Sequence, residues 1–330
     1  MKQSALVGCV DAVSPGEGTR EGSRHRRLET ARPSRLQELQ VPHIGHSVDT
    51  EAAPPDRGAV PDGPRRSASP RVTVVVPTRN EARNLPHVLT RLPEGLHEVI
   101  LVDGGSVDDT VEVAREVLPS IRVVHQTRRG KGNALACGFE ATTGDIVVML
   151  DADGSADPGE IPAFVAALVA GADVAKGTRF GHGGSSHDIT RVRRLGNAGL
   201  NLAVRVLYGA RHSDLCYGYV AFWADMLPVL DLPATVDPSI PAGTSVNGDG
   251  FEIETMITVR FAAAGARFTE VGSVEWPRIH GVSNLNAMSD GLRVLRTILT
   301  ERRRVAARRS QAPVRVTRAR TRARAGDLTS

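Results

Sequence analysis

Apolar residues along this chain gather into short, evenly spaced runs that begin abruptly at Val72-Thr73-Val74-Val75-Val76. A β-branched run without polar alternation is the pattern of a strand buried on both faces, and Pro77 ends it. From there, strand-like and helix-like patterns alternate. Residues 81–91 are expected to be helical, 99–102 a strand, and 108–117 a helix that opens with acids, as the helix dipole favours. Residues 121–124 follow as a strand, 131–141 as a helix, and 146–150 as the fourth and most apolar strand. Residues 161–175 carry a core helix leading into a strand. The later pattern is looser: 191–208 and 251–264 read as helices, 217–223 as extended, 267–271 as a strand, and 287–309 as a helix that turns basic. Alternation at this spacing predicts an α/β domain on a mostly parallel sheet, with right-handed crossovers and helices on both faces. In such a sheet ligands sit beyond the carboxyl ends of the strands.

Composition bounds the domain. The 330 residues are 41% hydrophobic, enough for one sizeable core. Residues 1–70 are rich in Pro, Gly, Ser, Arg and Glu and show no apolar period, so they are expected to be disordered. Residues 71–298 make a single domain, and 299–330 the basic end of a helix and a disordered tail. Cys9, Cys137 and Cys216 lie far apart, which excludes a disulfide framework and fits a reducing compartment. No apolar run reaches the roughly 18 residues of a membrane span. Leu6-Val7-Gly8-Cys9 has the form of a lipoprotein cleavage box, but the apolar stretch before it is too short for a signal. The expected location is cytoplasmic, with peripheral contact at the inner face of the membrane. Ten arginines against Glu301 and Asp327 give residues 301–330 a net charge of +8; as the whole chain carries +4, residues 1–300 carry −4. Without interleaved aromatics, such a tail suits nonspecific contact with anionic lipid better than specific reading of nucleic acid. A solvated tail with no partner is the plain alternative.

Candidate chemistry sits at the strand ends. The fourth strand runs into Asp151-Ala152-Asp153, and two carboxylates leaving a buried strand need a cation or donors to compensate them. Their spacing suits Mg²⁺ or Mn²⁺, which takes one or two carboxylates and completes its shell with phosphate and water; a solvated Asp turn is the alternative. A calcium loop is excluded, because its twelfth position is Pro162. The second strand ends in Asp103-Gly104-Gly105-Ser106, an acid and a glycine turn that allow close ligand approach. Arg129-Gly130-Lys131-Gly132 is not a P-loop; Lys131 either meets a phosphate or faces solvent.

Taken together and in this order, Val75-Val76-Pro77-Thr78-Arg79-Asn80-Glu81, Val102-Asp103-Gly104-Gly105-Ser106, Gly130-Lys131-Gly132 and Leu150-Asp151-Ala152-Asp153 resemble the family 2 glycosyltransferases. That resemblance implies the GT-A fold, a Rossmann-like sheet. Within the family the chain looks most like the polyprenyl-phosphate sugar synthases, the dolichyl-phosphate mannose synthase group. Lys176-Gly177-Thr178-Arg179-Phe180, Asp214-Leu215-Cys216-Tyr217-Gly218-Tyr219, Phe251-Glu252-Ile253-Glu254 and Arg278-Ile279-His280-Gly281-Val282-Ser283-Asn284-Leu285 carry that narrower likeness.

The resemblance implies roles. Pro77, Glu81 and Asp103, with Thr78 and Asn80 beside them, would line the nucleotide base and ribose of a nucleotide-sugar donor. Lys131 joins this nucleotide set. Asp151 and Asp153 would meet a divalent metal and the donor pyrophosphate, with His280 as a third metal ligand and Asp153 acting in catalysis. Arg179, Arg193 and Arg278, with Ser283 and Asn284, would hold the phosphate of a polyprenyl-phosphate acceptor. For a hydroxyl acceptor, Asp214 would be the base. Asn284 stands where the group carries Lys, and Ser155 where it often carries a metal-binding Gln. Two other readings stay open: a GT-A enzyme with a soluble acceptor, such as a small phosphorylated acid or a sugar, and a non-catalytic membrane or nucleic-acid adaptor.

Overall fold

A strand buried on both faces needs a hydrogen-bonded neighbour along each edge and apolar cover above and below. The computed structural model, which describes residues 66–237, 239–240, 244–281 and 287–311, supplies both to β1 (Val72–Thr78). This strand lies between β2 (Glu98–Asp103) and β4 (Ile146–Met149), parallel to each, with Val75 opposite Ile100 and Met149. Next to β2 lies β3 (Arg122–His125). Beyond β4 come β7 (Val220–Trp223), β5 (Val174–Thr178) and β8 (Phe268–Gly272), so the seven strands run β3-β2-β1-β4-β7-β5-β8. Within this sheet only β7 is antiparallel to its neighbours.

Alternate residues of the strands feed two cores. Val74, Val76, Leu101 and Val148 meet α1 (Leu85–Leu89), α2 (Thr110–Val117) and α4 (Ile161–Val169) on one face. Val75, Ile100, Val102 and Val147 meet α3 (Lys131–Ala141), α6 (Leu227–Leu230) and α7 (Ile253–Ala263) on the other. Over α7, two long helices, α5 (Arg191–Tyr208) and α8 (Ala287–Gln311), enclose a small third core of Val204, Leu215, Val259 and Ile298. A two-stranded ribbon pairs β6 (Ser185–Ser186) with β9 (Val274–Glu275).

The expected limits hold for α3 and α5 and fail for the first helix. Instead of starting at Glu81, it starts at Leu85, with Pro86 in its first turn. Proline is favoured there and nowhere deeper in a helix. Residues 80–84 form a turn instead, and Asn80 adopts a left-handed φ of 57°. Order also begins before Val72. Arg66 pairs with Asp173 at 2.5 Å and with Asp225 at 2.9 Å, and lies over the Trp223 ring. Most of the segment expected to be disordered, residues 1–65, and the tail from 312 onward lie outside the described residues. No described helix is long and apolar enough to cross a membrane.

Two positions make the packing testable. A methyl group on Gly138 of α3 would overlap the Val75 side chain and crowd Val102. Helix propensity alone would make Gly138→Ala stabilising by about 1 kcal/mol, whereas forced overpacking costs about 1–3 kcal/mol. A net loss is expected in denaturant unfolding, and a gain would show that α3 can lift off the sheet. His212 is buried with both ring nitrogens unpaired, its ring edge-on to Phe268. Burial, with a smaller push from Lys176, pulls it down to about 4. Because the folded value lies below the unfolded one, the unfolded chain protonates first as pH falls, and stability drains between about pH 6.5 and 4. His212→Phe should therefore flatten the stability loss between pH 7.5 and 5, which for wild type is about 2 kcal/mol from this residue.

Candidate active site

The parallel strands end on one side of the sheet, and a cavity of about 840 Å³ opens there. Residues 77–81 at the end of β1, with Asp151, Ala152, Asp153 and Ser155 after β4 and the start of α3, form its inner wall. The reversed β7 presents its beginning to this side, so Cys216, Tyr217 and Gly218 join the wall. Its outer wall comes from Val192, Arg193, Gly196 and Leu200 of α5 and Gly291 and Val294 of α8.

Lys131 is the cation at the inner end. Its Nζ lies 2.7 Å from Asp151 Oδ1 and 2.5 Å from Glu254 Oε1. Two glycines set it there. The Gly132 N–H donates to the Asp249 carbonyl at 2.7 Å, and a Cβ on Gly130 or Gly132 would collide with the backbone of residues 248–249. Asp249 is fixed in turn by a buried two-bond pair with Arg128, at 2.9 and 3.0 Å. Burial alone would lower Lys131, but Asp151 and Glu254 outweigh it and hold the ammonium charged. Burial raises Asp151, and Glu254 and Asp153 add to that against the pull of Lys131. Asp151 nevertheless keeps 36% of its side chain open to the cavity.

A second cation reaches Asp153 from far along the chain. The Trp276 N–H donates to the Ser155 carbonyl at 2.8 Å and the Ile279 N–H to the Asp153 carbonyl at 3.2 Å, laying residues 276–280 across the turn. Gly154, with φ 78°, leaves room for the Ile279 side chain. Arg278 thereby comes to 3.2 Å from Asp153 and 3.0 Å from Glu81. Asn84, which the sequence reading missed, donates to Glu81 and clasps both backbone groups of His280.

Several expected roles do not match these positions. His280 does not line the cavity; its backbone is held by Asn84 and its ring lies 5.9 Å from that of His87. Among the described residues no three His, Cys, Asp or Glu side chains are grouped to hold a metal ion, so the set Asp151, Asp153 and His280 is not assembled. Asp214, the expected base, is fully buried, and both its oxygens accept from Arg179 at 2.7 and 2.9 Å. Arg179 also pairs with Glu275 at 2.9 Å and stays charged against burial because of these two acids. Its charge is more than matched, which leaves little for an acceptor phosphate. Arg278 pairs with Glu81 and Asp153 and not with Glu275. Arg193 lines the cavity, and among the described residues its guanidinium has a single carboxylate contact, 3.5 Å to the exposed Asp188.

Asp103 does not line the cavity either. Its carboxylate accepts from the N–H groups of Gly105 and Ser106. Burial opposes ionisation, but these bonds, with His125 beside them, hold it below the usual carboxylate range. It shapes the turn that brings Gly104 to the wall. Pro77, Thr78, Asn80 and Glu81 do line the cavity, although Thr78 and Asn80 spend hydrogen bonds on Val102 and Val107. Ser283 and Asn284 lie outside the described residues.

Known proteins agree with this architecture. Residues 73–227 match the family described as glycosyl transferase family 2. The chain is 33% identical over 210 residues to an undecaprenyl-phosphate mannosyltransferase of Micrococcus luteus, covering 61% of this chain and 82% of that one. It is 30% identical over 241 residues to a polyprenol monophosphomannose synthase of Mycolicibacterium smegmatis, covering 70% and 87%. Among solved structures it is similar to glucosyl-3-phosphoglycerate synthase of Mycobacterium tuberculosis, crystallised with Mn²⁺, UDP and glucosyl-3-phosphoglycerate. There the TM-score is 0.54 at 25% identity, covering 71% of this chain and 80% of that one. Fold and cavity together are those of a GT-A glycosyltransferase. The chain belongs to glycosyl transferase family 2.

The Lys131 cluster can be tested without any ligand. Lys131→Met would strand Asp151 and Glu254 beside each other. The expected cost is about 2 kcal/mol, below the 3–5 of a fully buried pair because Asp151 opens to the cavity. Adding Glu254→Gln should recover more than half of it, and purely additive losses would show that the three groups are not coupled.

Proposed function

We propose that the protein transfers a sugar, with inversion, from a nucleotide-sugar donor to the phosphate of a polyprenyl phosphate. The observation that carries the acceptor is the outer wall of the cavity. Ile189, Val192, Leu200 and Val294 line it with apolar side chains, and Arg193 stands among them. A phosphate on an isoprenoid chain matches that combination, and the two relatives named above are called an undecaprenyl-phosphate mannosyltransferase and a polyprenol monophosphomannose synthase.

The donor belongs at the inner end. Asp151 and Asp153 offer hard oxygen donors that already demand cationic compensation, which fits Mg²⁺ or Mn²⁺ completed by donor phosphates and water. When bound, the ion would neutralise the leaving nucleoside diphosphate. Lys131 lines the same end, with its charge already shared between Asp151 and Glu254. An oxygen of the acceptor phosphate attacks the anomeric carbon in line as the bond to the nucleoside diphosphate breaks. With a second pKa of about 6, a phosphate monoester is already ionised at neutral pH and needs no base. The enclosure of Asp214 by Arg179 therefore costs this reaction nothing, whereas it removes the base expected for a hydroxyl acceptor. Peripheral placement on the cytoplasmic face of a membrane would give access to such an acceptor.

A second reading, a soluble phosphorylated acid as acceptor, is favoured by the likeness to glucosyl-3-phosphoglycerate synthase. The experiment is a direct competition. Purified protein, a panel of GDP and UDP sugars and Mn²⁺ are incubated with a short-chain polyprenyl phosphate or with 3-phosphoglycerate. Product on the polyprenyl phosphate is expected, and product on 3-phosphoglycerate alone would hand the site to the second reading. Asp153→Ala and EDTA should each abolish turnover. Arg193→Ala, losing one charge-assisted contact of about 1.5–3 kcal/mol, should lower kcat/KM for the acceptor by about 10- to 150-fold and leave nucleotide affinity unchanged.

A further inference from the structure

The outer helices leave apolar side chains in solvent in a pattern that is not random. On α5, Val192, Leu195, Leu202 and Val206 are 63%, 78%, 59% and 74% exposed. Their spacing of three, seven and four residues puts them on one stripe, opposite the buried Asn197 and Val204 that hold the helix to the protein. On α8, Leu292, Leu295 and Leu299 repeat the pattern, again opposite buried Thr297, Ile298 and Glu301. The two helices pack side by side. Scattered exposed apolar residues need no explanation, but a contiguous rimmed stripe on adjacent helices marks a surface that meets something.

Charge identifies what it meets. α5 carries four arginines and no acid, with Arg191, Arg194 and Arg205 exposed along the edge of its stripe. On α8, Arg296 and Arg303 are exposed beside the leucines, while Glu301 is buried against Arg260. An apolar stripe flanked by arginines, with a buried opposite side, is the pattern of a helix lying in a membrane interface. A second copy pairing symmetrically would bring Arg194 and its neighbours toward their own duplicates, so charge disfavours self-association. The stripe is also continuous with the cavity, since Val192 belongs to both and Val294 of α8 lines the same wall.

We infer that the outer face of α5 and α8 docks on an anionic bilayer, so that the cavity opens between the two helices at the level of the lipid phosphates. This rests on the polyprenyl-phosphate reading for its purpose but not for its test, which uses no donor or acceptor. Full-length protein is sedimented with phosphatidylcholine vesicles, with and without phosphatidylglycerol. The comparison protein is full-length Leu195→Ser/Leu202→Ser; neither residue lines the cavity, and the basic tail is unchanged. Wild type should bind the anionic vesicles and lose part of that binding in high salt. The double variant should bind on the order of 10- to 100-fold more weakly, with an unchanged melting temperature. Equal vesicle binding by both proteins would overturn the assignment and leave the tail as the membrane contact. A dimer in sedimentation that the double variant dissociates would overturn it in favour of a second copy. Failure of the enzyme to use polyprenyl phosphate would leave the vesicle result standing, so the two readings fail separately.

Discussion

Two carboxylates just past the end of a fully buried strand must be neutralised, and much of the molecule is arranged around that requirement. Asp151 is met by Lys131 and Asp153 by Arg278. Neither cation is near in sequence. Lys131 is delivered by a helix start pressed against the backbone of residues 248–250, with glycines on both sides so that the chains can touch. Arg278 arrives because residues 276–280 hydrogen-bond across the turn that holds Asp153. Both cations also contact a second acid, Glu254 and Glu81. The inner end of the cavity is thus a lattice of alternating charge. An incoming anion and its counter-ion can exchange into such a lattice without leaving a bare buried charge, which is the costly state.

Much of this fold is legible in the sequence because its strands are apolar throughout and its helices open and close on clear signals. α3 and α5 fall at their expected limits, and the glycosyltransferase motifs stand in order. Strand direction is not legible in the same way. An apolar run such as Val220–Trp223 reads identically in either sense, so the reversal of β7 emerges only from the paired register with Ile146–Met149.

At the site, the motifs were legible and the pairing of their side chains was not. Asp214 and Arg179 each belong to recognisable motifs, yet no spacing rule shows that they neutralise one another at 2.7 Å. Glu254 stood in the Phe251–Glu254 motif with no role of its own, and its contact with Lys131 spans 123 residues. His280 sits in the expected motif, but Asn84 determines where its backbone rests.

The reversed strand has a consequence for how the chain comes to be folded. β7 is the only strand linking β3-β2-β1-β4 to β5-β8 in the described sheet, and it lies more than seventy residues beyond β4, with Trp223 opposite Ile146. During synthesis the amino-terminal strands emerge first. Until β7 appears, β4 is an open edge of four apolar residues, Ile146–Met149, the kind of edge that recruits other chains. Closing it requires a long-range pairing, which is slow compared with local structure. A nascent chain halted before residue 220 would therefore be at its most adhesive, and the insertion of one short antiparallel strand both seals the sheet and brings residues 216–218 to the cavity.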